Sequence, residues 1–190
     1  LQAKAIATPS AENNFKTKHL DVWCNADVGW MDMKAWDACA DESLDESDFD
    51  GEPCWLGLDL ASTSDMTVKI FQRKIDGSSH YYLFGDYWLP RTAIERGVNS
   101  QYQGWEYLGY LHVCEGPVTD FAEIRDSILE DCGRYSVQSV AYDPFQAVQL
   151  SKELSDDGVP MVLCKQTVAN LSDPMKQFQA LVLDHRLHFN

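Results

Sequence analysis

The stretch WLGLDLASTSDMTVKIF, Trp55 to Phe71, decides the fold. Its two ends are apolar runs of strand length, yet Asp59 interrupts the first run and Asp65 precedes the second, on either side of a Ser/Thr-rich bend. A strand that only filled a core would stay apolar, so the carboxylates ask for a chemical reason.

Working outward, CWLGLDLAS reads as a buried strand, MTVKIFQRK as a second and HYYLFGDYWL as a third, with DGSS (Asp76 to Ser79) as the turn between the last two. Short connections of this kind predict an antiparallel meander. The period then changes. Phe121, Ile124, Ile128, Leu129 and Cys132 recur at helical spacing behind an N-cap at Thr119 or Asp120. VQSVAYDP is a strand ending at Asp143, and Ala147, Leu150 and Leu154 mark one side of a helix that stops near DDG. VPMVLCKQ is the next strand. SDPMKQFQALVLDHRLHF predicts a last helix with Pro174 in its first turn and Met175, Phe178 and Val182 as its packing face. The order βββαβαβα predicts an α/β fold: a mixed five-stranded sheet flanked by helices, its strand-helix-strand units making right-handed parallel crossovers.

The remaining composition sets bounds. With 190 residues, 45% of them apolar, the chain has enough material for a real core, which excludes a disordered protein. No apolar run approaches the roughly 20 residues needed to span a bilayer, and the first residues lack the apolar segment of a secretory signal, so the expected location is the cytoplasm. Six cysteines without a CxxC pair point to reduced thiols rather than a zinc or redox motif. Residues 1–52 do not read as a complete domain: they hold a short helix from about Met33 to Cys39 and the run ADESLDESDFDGE (Ala40 to Glu52), taken as a solvated acidic linker. Residues 53–190 form the domain proper. The formal charge of −15 argues against a broad electrostatic footprint on nucleic acid, so any DNA affinity must come from a local groove, bound cations or a partner domain.

If the first and fourth strands are adjacent and parallel, Asp59 and Asp143 emerge near the same edge of the sheet, where open α/β sheets bind ligands. Two carboxylates without Lys or Arg between them repel, and a divalent cation with oxygen ligands, Mg²⁺ or Mn²⁺, relieves that cost. Asp65 can reach the same cluster or hold a metal-bound water. Such a set suits phosphodiester cleavage, in which one ion lowers the pKa of the attacking water and a second, roughly 3.5–4 Å away, stabilises the leaving oxygen. Simpler roles compete. YDPF places Asp143 as a turn former, and TSD is ordinary turn chemistry for Asp65. Asp59, between Leu58 and Leu60, costs several kcal/mol if buried, charged and unpaired. His80, His112, His185 and His188 show no metal-ligand spacing and read as surface or packing residues, and Lys69, Arg73, Lys74, Arg91, Arg96 and Arg125 read as scattered charges.

GLDLASTSDMTVKIF, VAYDPFQAVQLSKEL and NLSDPMKQFQALVLDHRLHF in this order, preceded by FKTKHLDVW, resemble the C-terminal part of the large terminase subunit of tailed bacteriophages of the HK97-like type. The resemblance implies an RNase H-like nuclease domain that cuts concatemeric viral double-stranded DNA, with two metal ions held by Asp59 and Asp143 and with Asp65 beside them. It implies as partners the packaging ATPase domain of the same full-length subunit, the small terminase subunit and the portal. The family's remaining essential acid follows the last helix, in a segment this chain does not reach; neither Asp173 nor Asp184 is assigned its role, and the domain is expected to be C-terminally truncated. No G-x-x-x-x-G-K-[ST] loop is present, so no ATP site is expected. Two other readings stand beside it: a non-cleaving assembly module that contacts portal or DNA, and a fragment of an actin, Hsp70 or sugar-kinase ATPase, whose phosphate turn GLDLASTSDMT partly matches.

Overall fold

The computed structural model describes residues 30–60, 65–97 and 99–190. The segment FKTKHLDVW and the bend at 61–64 lie outside the described residues, as does Cys24.

Three antiparallel strands open the sheet: β1 (Pro53–Asp59), β2 (Asp65–Ile75) and β3 (Ser78–Pro90). The β2–β3 hairpin turns on Asp76 and Gly77, whose φ angles of 48° and 82° are both left-handed, the geometry that matches strand twist and that Asp-Gly accepts readily. Helix α1 (Met33–Asp37) precedes the sheet, capped by the Asp32 carboxylate. After β3 come α2 (Arg91–Glu95), α3 (Tyr102–Tyr107), β4 (His112–Cys114), α4 (Phe121–Arg134), β5 (Ser136–Tyr142), α5 (Val148–Asp156), β6 (Met161–Leu163), α6 (Val168–Leu183) and β7 (Leu187–Phe189). The sheet runs β4-β3-β2-β1-β5-β6, with β7 also on β3. β1 is antiparallel to β2 and parallel to β5, which is parallel to β6, so the meander and the crossover units join at β1 as the element order requires.

Among the described residues seven strands replace the expected five. The additional two, β4 and β7, have three residues each, too few to show a period, and both attach to the outer side of β3, at Trp88–Pro90 and at Tyr81–Leu83. The last helix also begins earlier than expected. Its N-cap is Thr167, whose hydroxyl accepts the Asn170 amide, which leaves Pro174 inside the helix and Met175 44% exposed. Ser172 and Asp173 carried a cap signature that the chain does not use, because the helix was already under way.

The two faces of the sheet differ. Cys54, Leu56 and Leu58 of β1, Phe71 of β2 and Phe84 of β3 share one face, which Ile124 and Ile128 of α4 and Leu150 and Leu154 of α5 cover to form the main core. On the opposite face, a smaller cluster of Trp36, Cys39, Phe178, Val182 and Leu187 packs α1 and α6 against Tyr81 and Leu83 of β3. The acidic run is not a wholly solvated linker. Residues Glu46–Phe49 form a 3₁₀ turn, and Phe49, 1% exposed, packs its ring against Phe71, Tyr82 and Phe84 at 4.7, 5.1 and 5.4 Å. An aromatic ring among carboxylates was the overlooked signal; its burial contributes about 2–3 kcal/mol. Among the described residues no helix is long and apolar enough to cross a membrane.

Candidate active site

Pleating sets where each carboxylate goes. Along β1, Leu56 and Leu58 face the core, and Asp59 falls on the other pleat, exposed to solvent while Leu60 is buried again. The desolvation penalty foreseen for a buried Asp59 therefore does not arise. Leu58 pairs with Tyr142 as the last rung of the parallel β1–β5 ladder, so Asp59, the last residue of β1, and Asp143, the first after β5, both follow that rung, where neighbouring strands lie about 4.8 Å apart. Both acids thus lie at the C-terminal ends of two neighbouring parallel strands.

Their surroundings differ. The Asp59 carboxylate makes no hydrogen bond or ion pair among the described residues. Asp143 accepts the Phe145 amide on Oδ1 at 2.8 Å and the Gln166 amide on Oδ2 at 3.3 Å, which ties the turn after β5 to the loop before α6 and fixes the rotamer. The Gln166 contact has no sequence signature, since a backbone amide carries no residue code. Neither acid has a Lys or Arg ion-pair partner among the described residues.

Asp65 lies on the pleat opposite Asp59. Asp59 pairs with Met66, so Asp65 is one residue out of register and on the inward pleat, where it is 2% exposed. Among the described residues no three His, Cys, Asp or Glu side chains are grouped so as to hold a metal ion. Asp173 and Asp184 point elsewhere: each is exposed and bridged to a nearby cation, Lys176 at 3.1 Å and Arg186 at 3.0 Å.

A second charged group lies on the inward face, and Lys69, read as a scattered charge, is its centre. Only 5% exposed, Lys69 stands between Leu56 and Phe84 in register. Its ammonium reaches Asp86 at 2.7 Å, Glu46 at 2.8 Å and Asp131 at 3.9 Å. Burial acts to lower its pKa, but the hydrogen bonds to Asp86 and Glu46 outweigh that and hold it above the ordinary lysine value. Asp86 is likewise held below the usual carboxylate range: burial raises it, and bonds from His112 and Lys69 overcome the rise. Asp131 goes the other way, pushed up to about 7 mainly by burial. Period-2 alternation with Phe71 was the signal that Lys69 points inward.

His80, His112 and His188 each make ring contacts. His80 Nδ1 and His188 Nε2 are hydrogen-bonded at 2.8 Å, and the His112 ring stacks on Trp88. Two surface depressions, of about 490 and 520 Å³, are lined by residues of α4, α5 and the 115–121 loop; Asp59 and Asp143 line neither.

A family model described as "Terminase large subunit, endonuclease domain" matches residues 2–190. Protein YmfN of Escherichia coli (strain K12) is 32% identical over 197 residues, a match that takes in 98% of this chain and 43% of that protein. The terminase large subunit of Enterobacteria phage HK97 is 22% identical over 189 residues, covering 97% of this chain and 36% of the relative. The chain thus spans less than half the length of either. The crystal structure of the HK97 bacteriophage large terminase superposes with a TM-score of 0.70 over 98% of this chain and 39% of that one, at 22% identity. The match establishes the fold as that of a terminase nuclease domain, the RNase H-like arrangement.

Proposed function

The chain belongs to the terminase large subunit endonuclease domain family, and from that premise we propose that it hydrolyses phosphodiester bonds of concatemeric double-stranded DNA during viral packaging, at a site built on Asp59 and Asp143. The observation that carries this reading is that both directly follow the last rung of the parallel β1–β5 ladder, with no Lys or Arg ion pair to either among the described residues. The donor set suits Mg²⁺ or Mn²⁺: hard carboxylate oxygens, one set unpartnered and open to solvent, in a number typical of sites that complete their shell with water and substrate phosphate. A pair of such ions, when bound, would supply the Lewis acidity for activating water and stabilising the leaving oxygen.

The chain's own contribution is placement. The amides of Phe145 and Gln166 hold Asp143 in one orientation, whereas Asp59 is left to adjust. Asp65 starts β2 on the pleat opposite Asp59 and is buried, so we assign it no direct contact with an ion, only the support of a metal-bound water. The packaging ATPase domain of a longer subunit, the small terminase subunit and the portal are the partners this role calls for, in the host cytoplasm.

A supercoiled-plasmid nicking assay with Mn²⁺ tests the reading. The chain, or a version extended past Asn190, should nick, and Asp59→Ala and Asp143→Asn should each lower the rate by at least a hundredfold; activity that survives both changes would sink it. One observation favours the alternative of a non-cleaving assembly module, namely that both Asp143 oxygens already accept backbone amides. Titration with Mn²⁺ separates the two: a purely structural module does not bind the ion, and a nuclease does so in a manner that Asp59→Ala weakens.

A further inference from the structure

The sheet face that carries Asp59 continues away from it as a strip without other acids. Asp59 pairs with Met66 and Met66 with Tyr87, so these three form one row across β1, β2 and β3. The next row along the same face is Gly57, Val68 and Gly85. In a chain of net charge −15, these two rows therefore hold no charged side chain except Asp59 itself. Met66 is 37% and Tyr87 45% exposed. A Cβ at Gly85 would stand 2.8 Å from the Tyr87 hydroxyl oxygen and 3.0 Å from the ring carbon that bears it, so the glycine leaves room for the ring to lie back along β3. A large ring is thereby spread on the floor of the strip, two strands or about 10 Å from Asp59.

We infer that Tyr87, backed by Met66, is a substrate-contact residue: its ring packs against the deoxyribose of a nucleotide two or three steps from the phosphodiester cut at Asp59. Ten ångströms is roughly three steps of duplex at 3.4 Å each, and an aromatic face against sugar and base edge gives contact without sequence preference. The inference rests on the nuclease reading above. It differs from a purely structural account, in which the ring only shields a glycine in the strand.

The test compares Tyr87→Ala, Tyr87→Phe and Gly85→Ala with the unaltered chain. A short DNA duplex is titrated at low salt in EDTA for affinity, Mn²⁺-dependent nicking is followed for KM and kcat, and thermal melting serves as the folding control. Expected are a fivefold or greater loss of affinity and a matching rise in KM for Tyr87→Ala, near-native values for Tyr87→Phe, and an intermediate loss for Gly85→Ala, whose new methyl displaces the ring. Unchanged affinity in both alanine variants overturns the contact while the nuclease reading stands. If the unaltered chain neither binds nor nicks DNA, the nuclease reading fails and the contact fails with it.

Discussion

Lys69 shows how one residue can be misread from its letter alone. A lysine in a strand is ordinarily a solvated charge, but here it occupies the inward pleat, where Glu46, Asp86 and Asp131 meet it. One cation faces three carboxylates, and Asp131 is the acid that stays protonated to about 7, because burial costs it most and the charges of Asp86 and Glu46 add to that cost. The linkage has a definite sign. A carboxyl whose folded pKa lies above its unfolded value of 3.8 leaves stability intact below that value and removes it as pH rises toward 7. The loss amounts to roughly 2–4 kcal/mol above neutrality. Asp131→Asn should therefore melt at a higher temperature relative to the native chain at pH 8.5 than at pH 5, and calorimetry at the two values checks it; a pH-independent difference would place the charged cluster elsewhere. Asp59 and Asp143 were legible from the sequence because their positions at strand ends are a matter of pattern. The Gln166 amide and the cluster around Lys69 depend on which chains meet in space, and pattern does not encode that.

Among the elements, the Glu46–Phe49 turn and α6 departed furthest from expectation, and each departure yields a measurement. Phe49 inserts into a cage of three rings, and the Arg73 guanidinium lies 3.8 Å above its face while also bridging to Glu52 at 2.8 Å. Phe49→Ala should cost about 3–5 kcal/mol in urea unfolding and raise amide exchange across residues 44–52; a cost below 1 kcal/mol would mean the turn is docked by its charges alone. In α6, Pro174 lacks the N–H that would bond the Asn170 carbonyl. Pro174→Ala should stabilise the domain by about 1–3 kcal/mol, seen as a higher melting temperature. The long strands and α4 were legible because each holds several turns or alternations of its period. Three-residue β4 and β7 were not, since their existence depends on the free side of β3 being there to receive them.

At the scale of the molecule, the proposed role sets an acidic domain against its own field when it meets DNA. With a formal charge of −15, binding by the isolated chain should be weak and should require low salt, so affinity is left to a partner that brings the positive charge. A filter-binding series should show little retention of duplex above about 0.1 M salt, where the Debye length is about 10 Å; tight binding there would contradict this division of labour. The mixed sheet and its helix layers could be anticipated because the strand-helix alternation admits few topologies, whereas the acidic turn's return to the core could not, since its composition favours solvent. The β1–β5 ladder has a last consequence. Asp59 and Asp143 are about eighty positions apart along the chain, and they become neighbours only when β5 has crossed over and zipped onto β1, a slow, non-local step. On the proposed function, a nascent or partly unfolded copy would keep its two acids apart and could not cut, so competence would arrive with the finished fold and be lost with it.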